Sequence, residues 1–178
     1  MVARILTQNK KEHEAVFYTH GHEDHVGLAE YIAEEAPQYM SEGTKGLLEI
    51  KYDVIRQAAD LKAHELLARE CDPQERSDAL RHREEAERKC RLVDRMRVWK
   101  HTPSDVVAES ISIGDIRVTP FSNCHSIYDS HMFLIEADGK RIWHTGDYRE
   151  HGYREKTCFR CLRDMPQTSM CSSPRVRC

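Results

Sequence analysis

The chain has 178 residues, enough for one domain of ordinary size, and its net charge of −3 gives no overall basic field of the kind that many nucleic-acid-binding domains carry. No apolar run reaches the ~18 residues that a membrane helix needs, and no N-terminal stretch reads as a secretory signal. The seven cysteines are odd in number and unevenly spaced, which argues against a disulfide framework. We therefore expect a cytoplasmic protein without a membrane partner.

The first predicted element is a short buried strand over residues 14–19, EAVFYT. It leads directly into HGHEDH at residues 20–25, and the segment that follows, VGLAEYIAEEA, predicts a helix that ends before Pro37. The polar cluster therefore lies at a joint between a strand and a helix.

The next elements form a helical insert, from about residue 47 to residue 100. Apolar residues recur at the helical period from Leu47 onward, until Asp72 and Pro73 interrupt the pattern. Ser77 is the expected N-cap of a second helix, whose sequence is charged on most sides. This charge pattern favours a solvated helix over a basic partner-binding face.

The last predicted elements are strands. Alternating apolar residues surround a Gly114-Asp115 turn in SISIGDIRVTPF, and Asp138-Gly139 joins HMFLIEA to KRIWH. An Asp-Gly connection between two apolar strands is typical of a β-hairpin. Strands therefore lie on both sides of the helical insert.

The HGHEDH segment carries four side chains that can bind metal, namely His20, His22, Asp24 and His25. His20 and His22 are two residues apart and point the same way in an extended segment. Asp24 and His25 follow at the predicted helix start and can reach a neighbouring position. One loop can therefore supply two adjacent ions, and its imidazole and carboxylate groups suit zinc and also manganese.

Two further candidate ligands follow other predicted strands. His125 comes directly after IRVTPF, and Asp147 comes shortly after KRIW. An aspartate is suited to a bridging position because each of its two oxygens can bind one ion. Alone, either residue would be interpreted as an ordinary surface or turn residue, but beside HGHEDH both are candidates for a metal site.

The combined pattern of HxHxDH, a histidine after one strand and TGD after another resembles the metallo-β-lactamase superfamily. CHSIYDS at residues 124–130 and HTGDYREHG at residues 144–152 are most similar to the ribonuclease J group, RNA-processing nucleases that add a beta-CASP insert to this fold. The resemblance implies an α/β fold, a four-layer αββα sandwich that is incomplete at both ends. Residues 1–166 would form this partial domain, including the helical insert, and residues 167–178 an irregular tail.

The resemblance also implies a site for two ions, zinc or alternatively manganese. One ion would be bound by His20, His22, His125 and Asp147. The other would be bound by Asp24, His25 and Asp147. Asp24 would be the catalytic residue that orients an attacking hydroxide and accepts its proton, and RNA would be the substrate.

The chain departs from the family pattern in three ways. About 19 residues precede HGHEDH, where the family has several strands, and the family's late histidine ligand has no counterpart here. The resemblance also fades after Pro166. We expect the second ion to lack one ligand, and an exposed sheet edge to favour homo-oligomers.

The remaining histidines have simpler expected roles. His131 is predicted to be a strand residue, and those predicted to lie at the surface are His13, His64, His82, His101 and His151. The residues near enough in sequence to support the metal ligands are Asp129, His144 and Tyr148. Cys158 and Cys161 lack the second pair that a zinc knuckle needs.

Three functions are open at this point. The leading one is a ribonuclease J-like metal-dependent nuclease, which the phrases HSIYDS and TGDYR favour. The second is a hydrolase of the same fold that acts on a small ester, thioester or lactam. The third is an inactive fragment that only binds metal, RNA or a partner subunit.

Overall fold

The structure, a computed structural model, describes residues 15–102 and 106–149 in full, and the backbone alone of residues 3–5 and 170–171. The chain divides into two compact units, Met1–Thr44 with Arg97–Cys178 and the intervening Lys45–Met96. Both β-sheets belong to the first unit, and the two long helices supply most of the second.

The first sheet contains four short strands in the order β1-β2-β3-β4. They are β1 (Ala3–Ile5), β2 (Ala15–Phe17), β3 (Gln38–Met40) and β4 (Arg97–Val98). β1 runs antiparallel to β2, whereas β2, β3 and β4 are mutually parallel. The strand predicted within residues 14–19 is confirmed, and all three residues of β2 are buried.

The second sheet has the order β5-β6-β7-β8-β9. Its strands are β5 (Ile111–Ile113), β6 (Ile116–Ser122), β7 (His131–Ala137), β8 (Lys140–His144) and β9 (Met170–Cys171). The first four form an antiparallel meander, and β9 pairs parallel to β8. Both predicted turns are confirmed: Gly114 has φ 61°, and Asp138 and Gly139 have φ 50° and 68°, as a two-residue hairpin turn requires.

The two sheets pack face to face through an aromatic core. Phe17 of β2 stacks on Tyr39 of β3 with ring centroids 4.9 Å apart. The same ring meets Phe133 of β7 edge-on at 5.8 Å, and Trp99 meets Phe133 at 5.7 Å. This sandwich confirms the predicted fold class and places the ends of β2, β6 and β8 within one unit.

The helix predicted from residue 26 to Pro37 is wrong in extent. Helix α1 (Glu23–Val26) lasts a single turn, and a 3-10 turn follows at Ala29–Tyr31. Leu28 and Tyr31 are 70% and 76% exposed, so the apolar residues of this segment do not share one buried face. Without such a face a longer helix gains little from packing.

Two long helices, α2 (Glu42–Leu67) and α3 (Pro73–Arg95), follow β3. The expectation that Ser77 caps the second helix is wrong. Asp72 is the N-cap, since its carboxylate accepts hydrogen bonds from the backbone N–H groups of Gln74 and Glu75, and Pro73 occupies the first turn. Of the helices that the structure describes, none is long and apolar enough to cross a membrane.

Candidate metal centre

The HGHEDH segment follows β2 directly, and its backbone path sets where each side chain points. The chain is still extended at His22, with φ −70° and ψ 148°, and α1 begins at the next residue. His22 therefore occupies the N-cap position, yet its side chain makes no capping hydrogen bond. Its ring is turned instead towards two other histidines.

The first group of donor atoms consists of three imidazole nitrogens. Nε2 of His20 lies 3.0 Å from Nδ1 of His22, and Nε2 of His125 lies 3.3 Å from the same Nδ1. Two ligands of a tetrahedral zinc ion, each ~2.0 Å from the metal, are about 3.3 Å apart. The three nitrogens therefore have the spacing of ligands around one ion.

The second group is built around His25 and Asp147. Nε2 of His25 lies 3.5 Å from Oδ2 of Asp147 and 3.8 Å from Oδ2 of Asp24. The same Asp147 oxygen is 3.9 Å from Nε2 of His125, a member of the first group. Asp147 therefore lies between the two groups, as a bridging carboxylate would.

All six residues named from the sequence meet in one place. Among them are two sets of three donors whose atoms lie within 4.8 Å of one another, namely His20, His22 and His125, and His20, His25 and Asp147. Asp24 is more peripheral, with a side chain that is 60% exposed, whereas that of His25 is 2% exposed. The donor types and spacings fit divalent ions, and the division of ligands between two ions stays a prediction.

Burial lowers the pKa of three histidines at this site, His20, His125 and His144. Desolvation, followed by the charges of neighbouring histidines, lowers the pKa of His20 to about 2. Desolvation likewise lowers the pKa of His125, against the opposing effect of Asp147, and it lowers the pKa of His144. Neutral imidazoles offer the lone pairs that a metal ion needs.

Thr19 supports two ligands at once, a role that the sequence did not suggest. Its hydroxyl oxygen is 3.0 Å from Nδ1 of His20 and 3.2 Å from Nδ1 of His25. When Nε2 of a histidine faces a metal, its Nδ1 carries the proton and donates it to a nearby acceptor. A single hydroxyl with two lone pairs can accept both hydrogen bonds.

The segment that carries Asp147 is held by two features. Asn123 donates from its amide to the carbonyl oxygens of Thr145 and Asp147. Gly146 has φ 58°, and a Cβ at this position would lie 2.9 Å from Cγ2 of Thr19. The glycine of the TGD phrase is therefore required by close packing against Thr19 as well as by its backbone conformation.

The expected surface position of His101 is wrong. Its side chain is 6% exposed and its Nε2 lies 3.0 Å from Oδ1 of Asp129. Oδ1 of Asp129 therefore contacts His101. The prediction that His131 is a strand residue is confirmed by β7. His101 follows Trp99, whose buried ring anchors this segment against the core.

Comparison with known proteins supports the family resemblance. The model of the metallo-beta-lactamase superfamily matches residues 3–154. A crystal structure of a protein of unknown function from Enterococcus faecalis V583 is similar, with a TM-score of 0.55 and 20% identity over 89% of this chain. This chain spans 30% of that protein's chain, and the likeness concerns the fold alone.

No curated protein matches this chain. The family model nevertheless covers both sheets, apart from β9, and every candidate ligand. Members of this superfamily are typically metal-dependent hydrolases, and the His and Asp groups of the described residues suggest the same use of divalent metal. The chain belongs to the metallo-beta-lactamase superfamily.

Proposed function

We propose that this chain is the catalytic part of a zinc-dependent nuclease that hydrolyses RNA phosphodiester bonds. The observation that carries the proposal is the position of Asp147, whose Oδ2 lies 3.5 Å from Nε2 of His25 and 3.9 Å from Nε2 of His125. One carboxylate thus adjoins both donor groups, which supports a two-ion site over a single-ion site. Manganese would suit the same ligands.

The donor groups suit hydrolysis at neutral pH. His20, His22 and His125 would hold one ion, and His25, Asp24 and Asp147 the other. Bound divalent ions make water nucleophilic near neutral pH and stabilise charge that develops on a phosphoryl group. Asp24, the most exposed of the six, would orient the attacking water and take up its proton, since its carboxylate is open to solvent.

Two features favour a phosphodiester over a small neutral ester. Arg149 lies close enough to the site for its positive charge to add to the desolvation that lowers the pKa of His125. A guanidinium in this position could pair with a substrate phosphate. The phrases HSIYDS and HTGDYR, which include His125 and Asp147, are similar to those of the ribonuclease J group.

The test compares two substrates. The purified chain, loaded with zinc or manganese, would be assayed against a 5′-monophosphorylated RNA and a chromogenic β-lactam. We expect metal-dependent RNA cleavage that is lost in His22→Ala, and no lactam cleavage. His82→Ala, in an exposed part of α3, is the matched control and should retain activity.

The other outcomes distinguish the alternatives. Cleavage of the lactam alone would show that the substrate is a small molecule and not RNA. Bound metal without any hydrolysis would point to a metal-binding fragment, which matters because the chain spans 30% of its structural relative. RNA cleavage that survives both chelation and His22→Ala would overturn the metal-dependent mechanism.

A further inference from the structure

A second group of potential ligands lies at the start of β7, apart from the six residues of the metal centre. His101, Asp129 and His131 each offer one donor atom, and all three atoms lie within 4.8 Å of one another. Their side chains are 6%, 7% and 0% exposed. We call this group the second histidine cluster.

The backbone and side chain of Asp129 are held in place by protein contacts. It has φ 60°, a conformation that non-glycine residues rarely adopt. Its Oδ2 accepts a hydrogen bond from the backbone N–H of Gly43, and its carbonyl oxygen accepts one from the hydroxyl of Ser41. These contacts leave Oδ1 as the oxygen that faces the two histidines.

Nε2 of His131 is oriented as a ligand would be. Nδ1 of His131 lies 3.0 Å from the carbonyl oxygen of Asp129, and a carbonyl can only accept, so this nitrogen carries a proton. In the neutral ring Nε2 then holds the lone pair, and it lies 4.0 Å from Oδ1 of Asp129. This distance is too long for a hydrogen bond but suits two ligands on either side of one ion.

The spacing within the second histidine cluster is that of a metal site. Nε2 of His101 is 3.0 Å from Oδ1 of Asp129, and Nε2 of His131 is 4.0 Å from it. The first distance is shorter and the second longer than the separation of about 3.3 Å between two ligands of a tetrahedral zinc ion. The carboxylate of Asp129 is 7% exposed, and a cation bound beside it would offset the cost of burying it.

We propose that the second histidine cluster binds a divalent cation, with zinc favoured by its two imidazoles and one carboxylate. A water molecule would complete the tetrahedron, since the described residues supply three ligands. The position suits a structural role. The backbone N–H of His131 donates to the carbonyl of Thr19, so an ion here would brace the strand end that carries His20.

The experiment counts zinc in the full chain. His22→Ala, His25→Ala and Asp147→Asn are combined to remove the first site, and the product is loaded with zinc, dialysed and analysed for metal. We expect about one tightly held ion per chain, and its loss when His101→Phe is added. Phenylalanine keeps the ring that packs edge-on against His131, while His82→Phe on α3 serves as the control and should leave the ion in place.

A second measurement does not depend on any variant. Crystals of the unaltered, zinc-loaded chain would be measured on either side of the zinc absorption edge. An anomalous peak between His101, Asp129 and His131 is the expected result. Absence of a peak there, or zinc content unchanged by His101→Phe, would overturn the proposal and leave a hydrogen-bonded His-Asp-His network. Neither readout depends on hydrolysis, so the proposed function stands or falls separately.

Discussion

The hydroxyl oxygen of Thr19 lies 3.0 Å from Nδ1 of His20. It is also 3.2 Å from Nδ1 of His25, so one fully buried side chain orients a candidate ligand in each of the two donor groups. Supporting hydrogen bonds of this kind fix which ring nitrogen carries the proton and which faces the metal. Thr19 thus links a histidine of the first donor group to a histidine of the second. It is not itself one of the candidate ligands.

Replacing Thr19 by valine keeps the shape of the side chain and removes the acceptor. We expect Thr19→Val to weaken zinc binding about 10- to 100-fold, because the rings of His20 and His25 lose their shared partner. Competition with a chromogenic chelator measures the affinity. Thr19→Ser, which retains the hydroxyl, should recover most of it, and equal losses in both variants would mean that packing alone matters.

Gly146 allows a direct test of the close approach between its backbone and Thr19. Gly146→Ala should lower the free energy of unfolding by about 1–3 kcal/mol, because φ is 58° and the new Cβ would lie 2.9 Å from Cγ2 of Thr19. Denaturant unfolding of the metal-free chain measures this loss of stability. Gly46 in α2 is the control: a Cβ there meets nothing within 4 Å, so Gly46→Ala should stabilise by about 0.5–1 kcal/mol.

The pH dependence of stability follows from the lowered pKa of His20. Above its ordinary value of 6.5 the ring is neutral in both states and contributes nothing. Below pH 6.5 the His20 ring is protonated in the unfolded chain but stays neutral in the folded chain until about pH 2. The free energy of unfolding therefore falls as the pH falls. The loss is at most about 1.4 kcal/mol per pH unit for this group, and His125 and His144 act in the same direction.

Unfolding of the metal-free chain by denaturant, measured between about pH 7.5 and 5.5, checks this linkage. His20→Asn removes the titrating ring and should flatten the curve. If the variant and the unaltered chain lose stability in parallel, His20 is not the source of the dependence.

The N-cap of α3 predicts different effects for substitutions of Asp72 and Ser77. Asp72→Ala should lower the stability of the helix by about 1 kcal/mol, since the backbone N–H groups of Gln74 and Glu75 lose their acceptor. Ser77→Ala lies inside the helix and should change stability by no more than a few tenths of a kcal/mol. Loss of helical circular dichroism on heating measures both, and a larger effect at Ser77 would contradict the assignment of the cap.

The local parts of the site were predictable from the sequence. A short apolar strand followed by HGHEDH identifies His20 to His25 as one group, because strand geometry alone orients residues two apart in the same direction. The convergence of His125 and Asp147 on that group depends on how β6, β7 and β8 pair. The Asp138-Gly139 turn predicts that β7 pairs with β8, but no such signal specifies the pairing of β6 with β7. The family resemblance supplied the rest.

The errors at the segment after Val26 and at His101 share one cause, which is burial set by distant parts of the chain. The segment after Val26 has helical periodicity, but Leu28 and Tyr31 face solvent and the helix ends after one turn. His101 has no local signal for burial, and its position is set by Trp99 and by Asp129. Thr19 was missed for the same reason, since its partners are defined by side-chain rotation and not by sequence spacing.

The first donor group joins parts of the chain that are made at different times. His22 and His125 are 103 residues apart in sequence, yet their nitrogens are 3.3 Å apart. During synthesis HGHEDH leaves the ribosome long before His125 and Asp147 exist, so a complete ligand set forms only when the meander β5 to β8 has emerged. An ion bound by this group would close a loop of about 100 residues, so metal binding would be a late step of folding that stabilises the sandwich.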